Sequence, residues 1–426
     1  MPKYLDLFAG AGGLSEGFIR AGYEPIAHVE MDAAACYTLR TRTAYHWLKK
    51  GNNLAPYTKY LAGDIPRKDF YALVPKEILD SVLNYEISEE SLPAIFKDID
   101  SLLGGEKLDL IVGGPPCQAY SIAGRSRSEC KMVGDKRNYL YRLYAEFLKK
   151  YQPKYFVFEN VLGLLSARDE DGSLHFDNMR ALFKKCGYAT DFRILNASDY
   201  GVLQNRKSIG FHGEKADFYP QIPVVKDAHK VGELFCDLPS IKAGEGVITP
   251  VKTTHYTGKY LFSARIKEYD EEPVTFHQAR PNTAQDLEIY RIVVDTWNRS
   301  KTRVSYTDLP ERLRTHNNTK SFLDRFKVVA GNLPYAQTVV AHISRDGHYF
   351  IHPDIKQNRS ITPREAARIQ TFPDNYFFES VTGRPSRTLA YKQIGNAVPV
   401  CLSYHIAHAL LARFTGGDKN AEESNT

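Results

Sequence analysis

Cys117 follows Gly113-Gly114-Pro115-Pro116 at the end of the apolar run Leu108–Val112. Two prolines stiffen that turn, and ligands of doubly wound α/β sheets sit outside the carboxyl ends of strands, so a thiol there is a candidate nucleophile. Taken alone, a cysteine is more often a small buried hydrophobe; the position carries the reading. Glu159, in Glu159-Asn160-Val161, closes the apolar run Tyr155–Phe158 and brings a carboxyl to the same rim. Burial at a strand end raises a carboxyl pKa and suits it to hydrogen-bond or protonate a ring nitrogen. A helix N-cap is the plain structural alternative. Between a strand and a helix stands Asp6-Leu7-Phe8-Ala9-Gly10-Ala11-Gly12-Gly13, where glycines let backbone approach a ligand and free N–H groups meet it. Glu30, about twenty residues on, ends a second apolar run, where an acid can accept ribose hydroxyls. The third glycine of the dinucleotide fingerprint is missing, which favours another adenosine-bearing cofactor over a nicotinamide one.

Gln204-Asn205-Arg206-Lys207 precedes the short run Ser208–Phe211, a place for phosphate or a polar base edge, or simply a solvated strand. Gln393-Ile394-Gly395-Asn396-Ala397-Val398-Pro399 is a polar turn from which Asn396 reaches the cofactor if the next helix packs beside the first strand. His405 and His408 have helical spacing but no nearby cysteine or carboxylate, and no Cys-x-x-Cys occurs, so no metal is expected.

The elements that must position these groups alternate. Tyr4–Phe8 reads as a strand, 14–21 as a helix, Pro25–Glu30 as a strand and Ala33–Lys50 as a helix. Lys59–Ile65 is a candidate third strand, 67–107 a charged, helical insertion, Tyr139–Tyr151 an amphipathic helix and Tyr155–Phe158 a buried strand. Such β-α-β alternation predicts an α/β fold with a doubly wound, mostly parallel sheet. Near Tyr219 the composition shifts toward Pro, Gly, Thr, His and Arg, predicting a second, smaller, irregular domain. The expected division is 1–218, then 219–356, then 357–415 with a returning C-terminal helix, and a disordered polar tail 416–426.

With 426 residues, 43% hydrophobic and 25% charged, the chain is neither wholly disordered nor fibrous. No apolar run near the ~20 residues of a membrane span is evident, and Met1–Asp6 does not open a signal peptide. Six scattered cysteines predict reduced thiols and a cytoplasmic setting. A net charge of +6 permits a polyanionic partner without demanding one.

In order, the glycine loop, Glu30, Pro115-Pro116-Cys117-Gln118, Glu159-Asn160-Val161, Gln204-Asn205-Arg206, Thr362–Arg368 and Gln393-Ile394-Gly395-Asn396 resemble the motifs of the C5-cytosine DNA methyltransferases, across most of the chain. The resemblance implies a Rossmann-like methyltransferase fold, S-adenosylmethionine as cofactor, no metal, and double-stranded DNA as partner. It makes Cys117 the nucleophile at cytosine C6, Glu159 the group at N3 and Arg206 a third catalytic residue, with the base flipped from the duplex. Phe8, Gly10, Gly12, Glu30, Met31, Pro116, Asn396 and Val398 fall at cofactor positions, with an acid expected after the third strand. Asp64 fits that place in sequence, whereas Asp98 and Asp100 have the more ordinary spacing. Ser121, Gln204, Lys207 and Thr338 fall at DNA-contacting positions, and Ser121–Asn138 would be the loop closing over the base.

Arg265, Lys267, Arg291, Arg299, Arg303, Arg312, Arg314, Arg325 and Lys327 are among the cations of the segment standing where the family reads DNA; a solvated surface balanced by Asp270, Glu271 and Glu272 is the other reading. Ser208 replaces the second arginine of the family's Gln-x-Arg-x-Arg strand, so restoring arginine there is expected to keep or raise activity. Also expected are a monomer and a separate cognate restriction endonuclease. Three other readings stay open: cytosine in tRNA as substrate, a non-enzymatic DNA-binding regulator, and a nicotinamide enzyme with a catalytic cysteine.

Overall fold

The computed structural model describes residues 1–115, 139–169, 171–214, 221–225, 228–317 and 322–415. Among them the chain runs β1 (Lys3–Leu7), α1 (Gly13–Arg20), β2 (Glu24–Glu30), α2 (Ala33–Lys50), α3 (Ala55–Ala62), α4 (Arg67–Tyr71), α5 (Lys76–Asp80), β3 (Val82–Asn84), α6 (Leu92–Leu103) and β4 (Leu110–Gly113). There follow α7 (Leu140–Tyr151), β5 (Tyr155–Asn160), α8 (His175–Lys185), β6 (Ala189–Asn196) and β7 (Lys207–Glu214). The seven strands lie in the order β3-β2-β1-β4-β5-β7-β6. Neighbours from β3 to β5 are parallel, and β7 runs antiparallel to both β5 and β6.

Alternation along the central strands loads both faces of the sheet. Leu5, Leu7, Ile111, Phe156 and Phe158 pack against α6, α7 and α8. Tyr4, Leu110, Val112, Tyr155 and Val157 pack against α1 and the last helix. A sheet buried on both sides in this way reads as continuous apolar runs. Because the order reverses at β1, the loops after β1 and β4 diverge and leave a crevice at the carboxyl edge.

The third strand departs from expectation. Lys59–Ile65 is not a strand: it comprises the end of α3, which closes at Gly63 (φ 84°), and the turn beyond. The third strand is Val82–Asn84, inside the stretch read as a helical insertion, paired to His28–Glu30.

Beyond β7 the chain forms the two-residue pair β8 (Gly246–Val247) and β9 (His277–Gln278), with short helical turns between irregular segments. A 17-residue helix, α9 (Ala284–Ser300), is also present there. It starts at a reciprocal cap between Thr283 and Asp286 and buries Ile289, Tyr290, Val293 and Val294 against Tyr306, Leu309 and Phe326.

α10 (Pro363–Ile369), α11 (Arg387–Asn396) and α12 (Val400–Thr415) return to the sheet. By length and composition the run 387–414 would suffice to cross a membrane, its most apolar 18-residue stretch having a mean hydropathy of 1.3. It is instead broken at Ala397, whose ψ of 151° is extended. α12 lies on α1, where Gly17 admits it: a Cβ there would stand 2.5 Å from the Tyr404 nitrogen.

Candidate active site

After β1 the chain turns through Phe8 (φ 57°), Gly10 (φ 55°) and Gly12 (φ 80°). Left-handed geometry is costly for phenylalanine, and such conformations gather at functional sites. Glycine is required at 12, since a Cβ would stand 2.8 Å from the Tyr376 hydroxyl and 2.9 Å from Leu39. At Gly10 a Cβ would meet nothing within 4 Å, so the backbone there faces open space. Glu30 locks this loop: Oε2 accepts from the Gly10 N–H and Oε1 from the Asp32 N–H, each at 2.8 Å. Burial pushes the Glu30 carboxyl above its ordinary value, and those backbone donors pull it back. Each oxygen keeps lone-pair capacity for a hydroxyl. Beside it Met31 is 58% exposed, an apolar surface at a polar rim.

The turn 396–398 lies against the start of α1, where a Cβ on Gly13 would come 2.3 Å from the Val398 carbonyl. Phe8, Gly10, Gly12, Glu30, Met31, Asn396 and Val398 therefore gather at the carboxyl ends of β1 and β2. The open Gly10 backbone, the acceptors of Glu30 and the exposed Met31 fit the phosphate-free adenosine group of S-adenosylmethionine.

None of the three acids proposed for the position after the third strand stands there. Asp64 lies in the turn after α3. Asp98 and Asp100 are on α6, where Asp98 accepts from the Tyr85 hydroxyl and Asp100 from Lys150. The third strand ends instead in Asn84, whose Nδ2 donates to the carbonyls of Glu30 and Met31 at 3.0 and 3.1 Å.

Glu159 sits at the carboxyl edge of β5. Glycine at 114 lets the loop after β4 lie on it: a Cβ there would be 2.4 Å from the Glu159 carbonyl and 3.0 Å from its Oε2. Asn160, 1% exposed, donates to the Pro115 carbonyl at 3.5 Å. Together they fix the approach to the segment carrying Cys117. Burial raises the Glu159 carboxyl above its ordinary value, opposed by a hydrogen bond from Ser208 and the charge of Arg206. Sequence reasoning missed Ser208 as a partner of Glu159; the alternation that places 206 and 208 on one side of β7 was the available signal.

Arg206 donates to the Val339 and Gly395 carbonyls at 3.1 and 3.4 Å. It ties the β7 approach to both the segment after α9 and the cofactor-side turn. Gln204, expected at a DNA-contacting position, faces the interior. It is fully buried, donates to Gln370 Oε1 at 2.8 Å and accepts from the Val339 N–H at 2.6 Å. Gln370 in turn donates to the Ile394 and Ala397 carbonyls. Lys207 is exposed at the start of β7, and Thr338 donates to the Asn205 carbonyl at 2.6 Å.

Lys267, read as a DNA-facing cation, is 2% exposed and bonds Asp237 and Thr253. Glu272, read as a surface charge, is 3% exposed. Arg299, Arg312, Arg325 and Lys327 pair with Asp295, Glu288, Asp346 and Asp324. Pro116, Cys117 and Ser121, and the loop Ser121–Asn138, lie outside the described residues.

The chain matches the C-5 cytosine-specific DNA methylase family over residues 2–71 and 84–412. It is 37% identical over 448 residues to the type II methyltransferase M.Bpa9945I of Bacillus paralicheniformis, covering 95% of this chain and 98% of that one. It is 30% identical to M.DdeI of Desulfomicrobium norvegicum, covering 95% and 88%. A crystal structure from E. coli of a prophage-encoded chain described as a DNA modification methyltransferase superposes with a TM-score of 0.61 at 21% identity, covering 97% of this chain and 100% of that one.

Proposed function

This chain belongs to the C5-cytosine-specific DNA methylase family and methylates cytosine at C5 in DNA using S-adenosylmethionine, and on that premise we propose that the target base leaves the duplex and is activated between Cys117 and Glu159. The observation that supports this most is Glu159 itself, a carboxyl of raised pKa on the sheet edge beside Arg206 and against Gly114. S-adenosylmethionine, when bound, supplies an electrophilic methyl group, and Phe8, Gly10, Gly12, Glu30, Met31, Pro116, Asn396 and Val398 would hold it.

Cytosine C5 is a poor nucleophile at rest. The thiolate of Cys117 adds to C6, forming a carbon–sulfur bond and shifting ring π electrons toward N3, where the Glu159 carboxyl delivers its proton. C5 thereby gains enamine character, which the methyl transfer requires. Loss of the C5 proton to a base, expulsion of the thiolate and return of the N3 proton to Glu159 restore the ring. C6 is hidden in a stacked duplex, so the base must be extruded. The positive charge of Arg206 stabilises the negative charge that builds on the pyrimidine as the thiolate adds. Lys207 and Thr338, with residues of 219–356, contact DNA, and 1–218 with 357–415 perform the chemistry. The protein acts as a monomer in the cytoplasm, with any cognate restriction endonuclease a separate chain.

A duplex with 5-fluorocytosine at the target tests this, because fluorine cannot leave C5 as the proton does. The full chain with S-adenosylmethionine is expected to form a denaturant-stable adduct with that duplex, and Cys117→Ser is expected to form none. Methyl transfer without an adduct, or transfer to tRNA in place of DNA, would overturn the reading.

A further inference from the structure

We propose that a cavity of about 330 Å³ between α9 and residues 326–338 takes a second nucleobase of the DNA, beside the extruded cytosine. This rests on the reading above. The cavity is at the small end of ligand clefts, which span ~300–1,000 Å³.

Its walls combine the three chemistries a nucleotide asks for. Trp297, Phe326 and Tyr335 provide aromatic surface, and Tyr335 remains 45% exposed despite its size. Bases stack on such rings with little regard to sequence. Asn205 and Gln337 provide amides. The Asn205 side chain has no hydrogen-bond partner among the described residues, and Gln337 donates from Nε2 to the Tyr349 carbonyl at 2.6 Å, which leaves its oxygen as an acceptor. Side-chain amides match the donor and acceptor pattern of a purine edge. Arg303 provides a cation. It is exposed and has no carboxylate partner among the described residues, unlike Lys327 on the same wall, which pairs with Asp324.

The cavity is joined to the target-base site through backbone. The Asn205 N–H donates to the Ala336 carbonyl at 3.1 Å, and Thr338 donates back to the Asn205 carbonyl. The next residue, Arg206, turns to Val339 and Gly395 and acts on Glu159. One short segment thus serves two adjacent compartments, so a base held by the first fixes the register in which cytosine enters the second.

Tyr335→Ala and Arg303→Ala in the full chain test this by steady-state methylation and by bisulfite sequencing of the products. Both are expected to raise KM for DNA about tenfold, the cost typical of a lost base contact. They should leave kcat within twofold and S-adenosylmethionine affinity unchanged, whereas Gln337→Ala, which removes an amide offered to the base edge, should relax preference at one position flanking the methylated cytosine. A duplex made abasic at that position should bind the native chain about tenfold more weakly and Tyr335→Ala no more weakly than intact duplex does. Unchanged KM in the Tyr335 and Arg303 variants, unchanged flanking preference in Gln337→Ala, or a parallel loss of cofactor affinity and kcat, would overturn the proposal. Failure of the native chain to be trapped by 5-fluorocytosine would instead count against base extrusion and covalent attack themselves.

Discussion

The Ser208 hydroxyl donates to Oε1 of Glu159 across the antiparallel β5–β7 pair, and its Oγ also lies 3.1 Å from the Asn160 carbonyl. A hydrogen bond to a carboxylate favours its charged form. Ser208 and Arg206 therefore pull the Glu159 pKa down against the larger effect of burial. Protonated Glu159 is the donor in the proposed chemistry, so kcat/KM should fall as pH rises through its pKa. Ser208→Ala removes one downward pull and is expected to move that falling limb to higher pH, while Ser208→Thr restores it. A pH profile with an unmoved limb would show that Ser208 does not tune the acid. The family pattern alone favours arginine at 208. Here the site is 4% exposed and closed by Glu159 and Asn160, so Ser208→Arg is expected to lower activity.

Glu159→Gln keeps the shape of the side chain but cannot deliver a proton. The expected loss in kcat is ~10²–10⁴-fold, the usual worth of general acid–base catalysis. Titration calorimetry should find S-adenosylmethionine binding within a factor of two of the native chain, because Glu159 belongs to β5 and the cofactor residues to β1, β2 and the turn 396–398. Equal loss of both would place Glu159 in the cofactor site.

The elements around the glycine loop were legible because local signals agree there. The apolar run, the glycines and the Asp32 cap, which accepts from Ala34 and Ala35, all fall within 30 residues of one another. Val82–Asn84 was not legible: three residues are too few for alternation to register, and its pairing to β2 is a distant fact. The apolar spacing of Lys59–Ile65 suits either element, and helix won. α9 carried a cap signal at Thr283 and Asp286, obscured by a polar outer face. At the site, Glu30 and Glu159 followed from strand ends. The burial of Gln204 and Lys267 did not, because it depends on Gln370 and Asp237, which lie 166 and 30 positions away.

Glu30→Ala is expected to weaken S-adenosylmethionine binding at least tenfold. It removes the acceptors offered to the cofactor and strips the Gly10 and Asp32 N–H groups of their partner. Both donors are part-buried, so losing the bonds costs about 0.5–1.5 kcal/mol each, and the loop should loosen as well. Calorimetry reads the affinity and hydrogen exchange at residues 8–13 the loosening; native affinity would remove Glu30 from the cofactor site.

Asp237 binds two cations at once: Arg368 at 2.5 Å and Lys267 at 2.7 Å, all three side chains fully buried. Arg368 also pairs with Asp374 at 2.6 Å. Removing one member of such a group leaves charge uncompensated in the interior, at a cost of ~3–5 kcal/mol. Asp237→Ala should therefore destabilise by that order in urea unfolding. The network joins the segment after β7 to α10, so the change should also lower activity at temperatures where the native chain is stable. A loss below ~1 kcal/mol would mean that water reaches the site.

Glu272 gives stability a pH dependence near neutrality. Burial, with Asp374 adding repulsion, pushes its carboxyl up to about 7 from the ordinary 4.5, against a bond from the Glu268 N–H. Between those values the folded chain holds a proton that the unfolded chain releases. The stabilisation is complete below the unfolded pKa and is lost as pH rises through 7, with a slope of at most ~1.4 kcal/mol per pH unit. Glutamine keeps an oxygen for the Glu268 N–H and needs no proton, so Glu272→Gln should flatten the dependence and unfold at higher urea than the native chain above pH 7. Urea midpoints at pH 5, 6, 7 and 8 for both proteins measure the difference; parallel curves would show that Glu272 is ionised throughout.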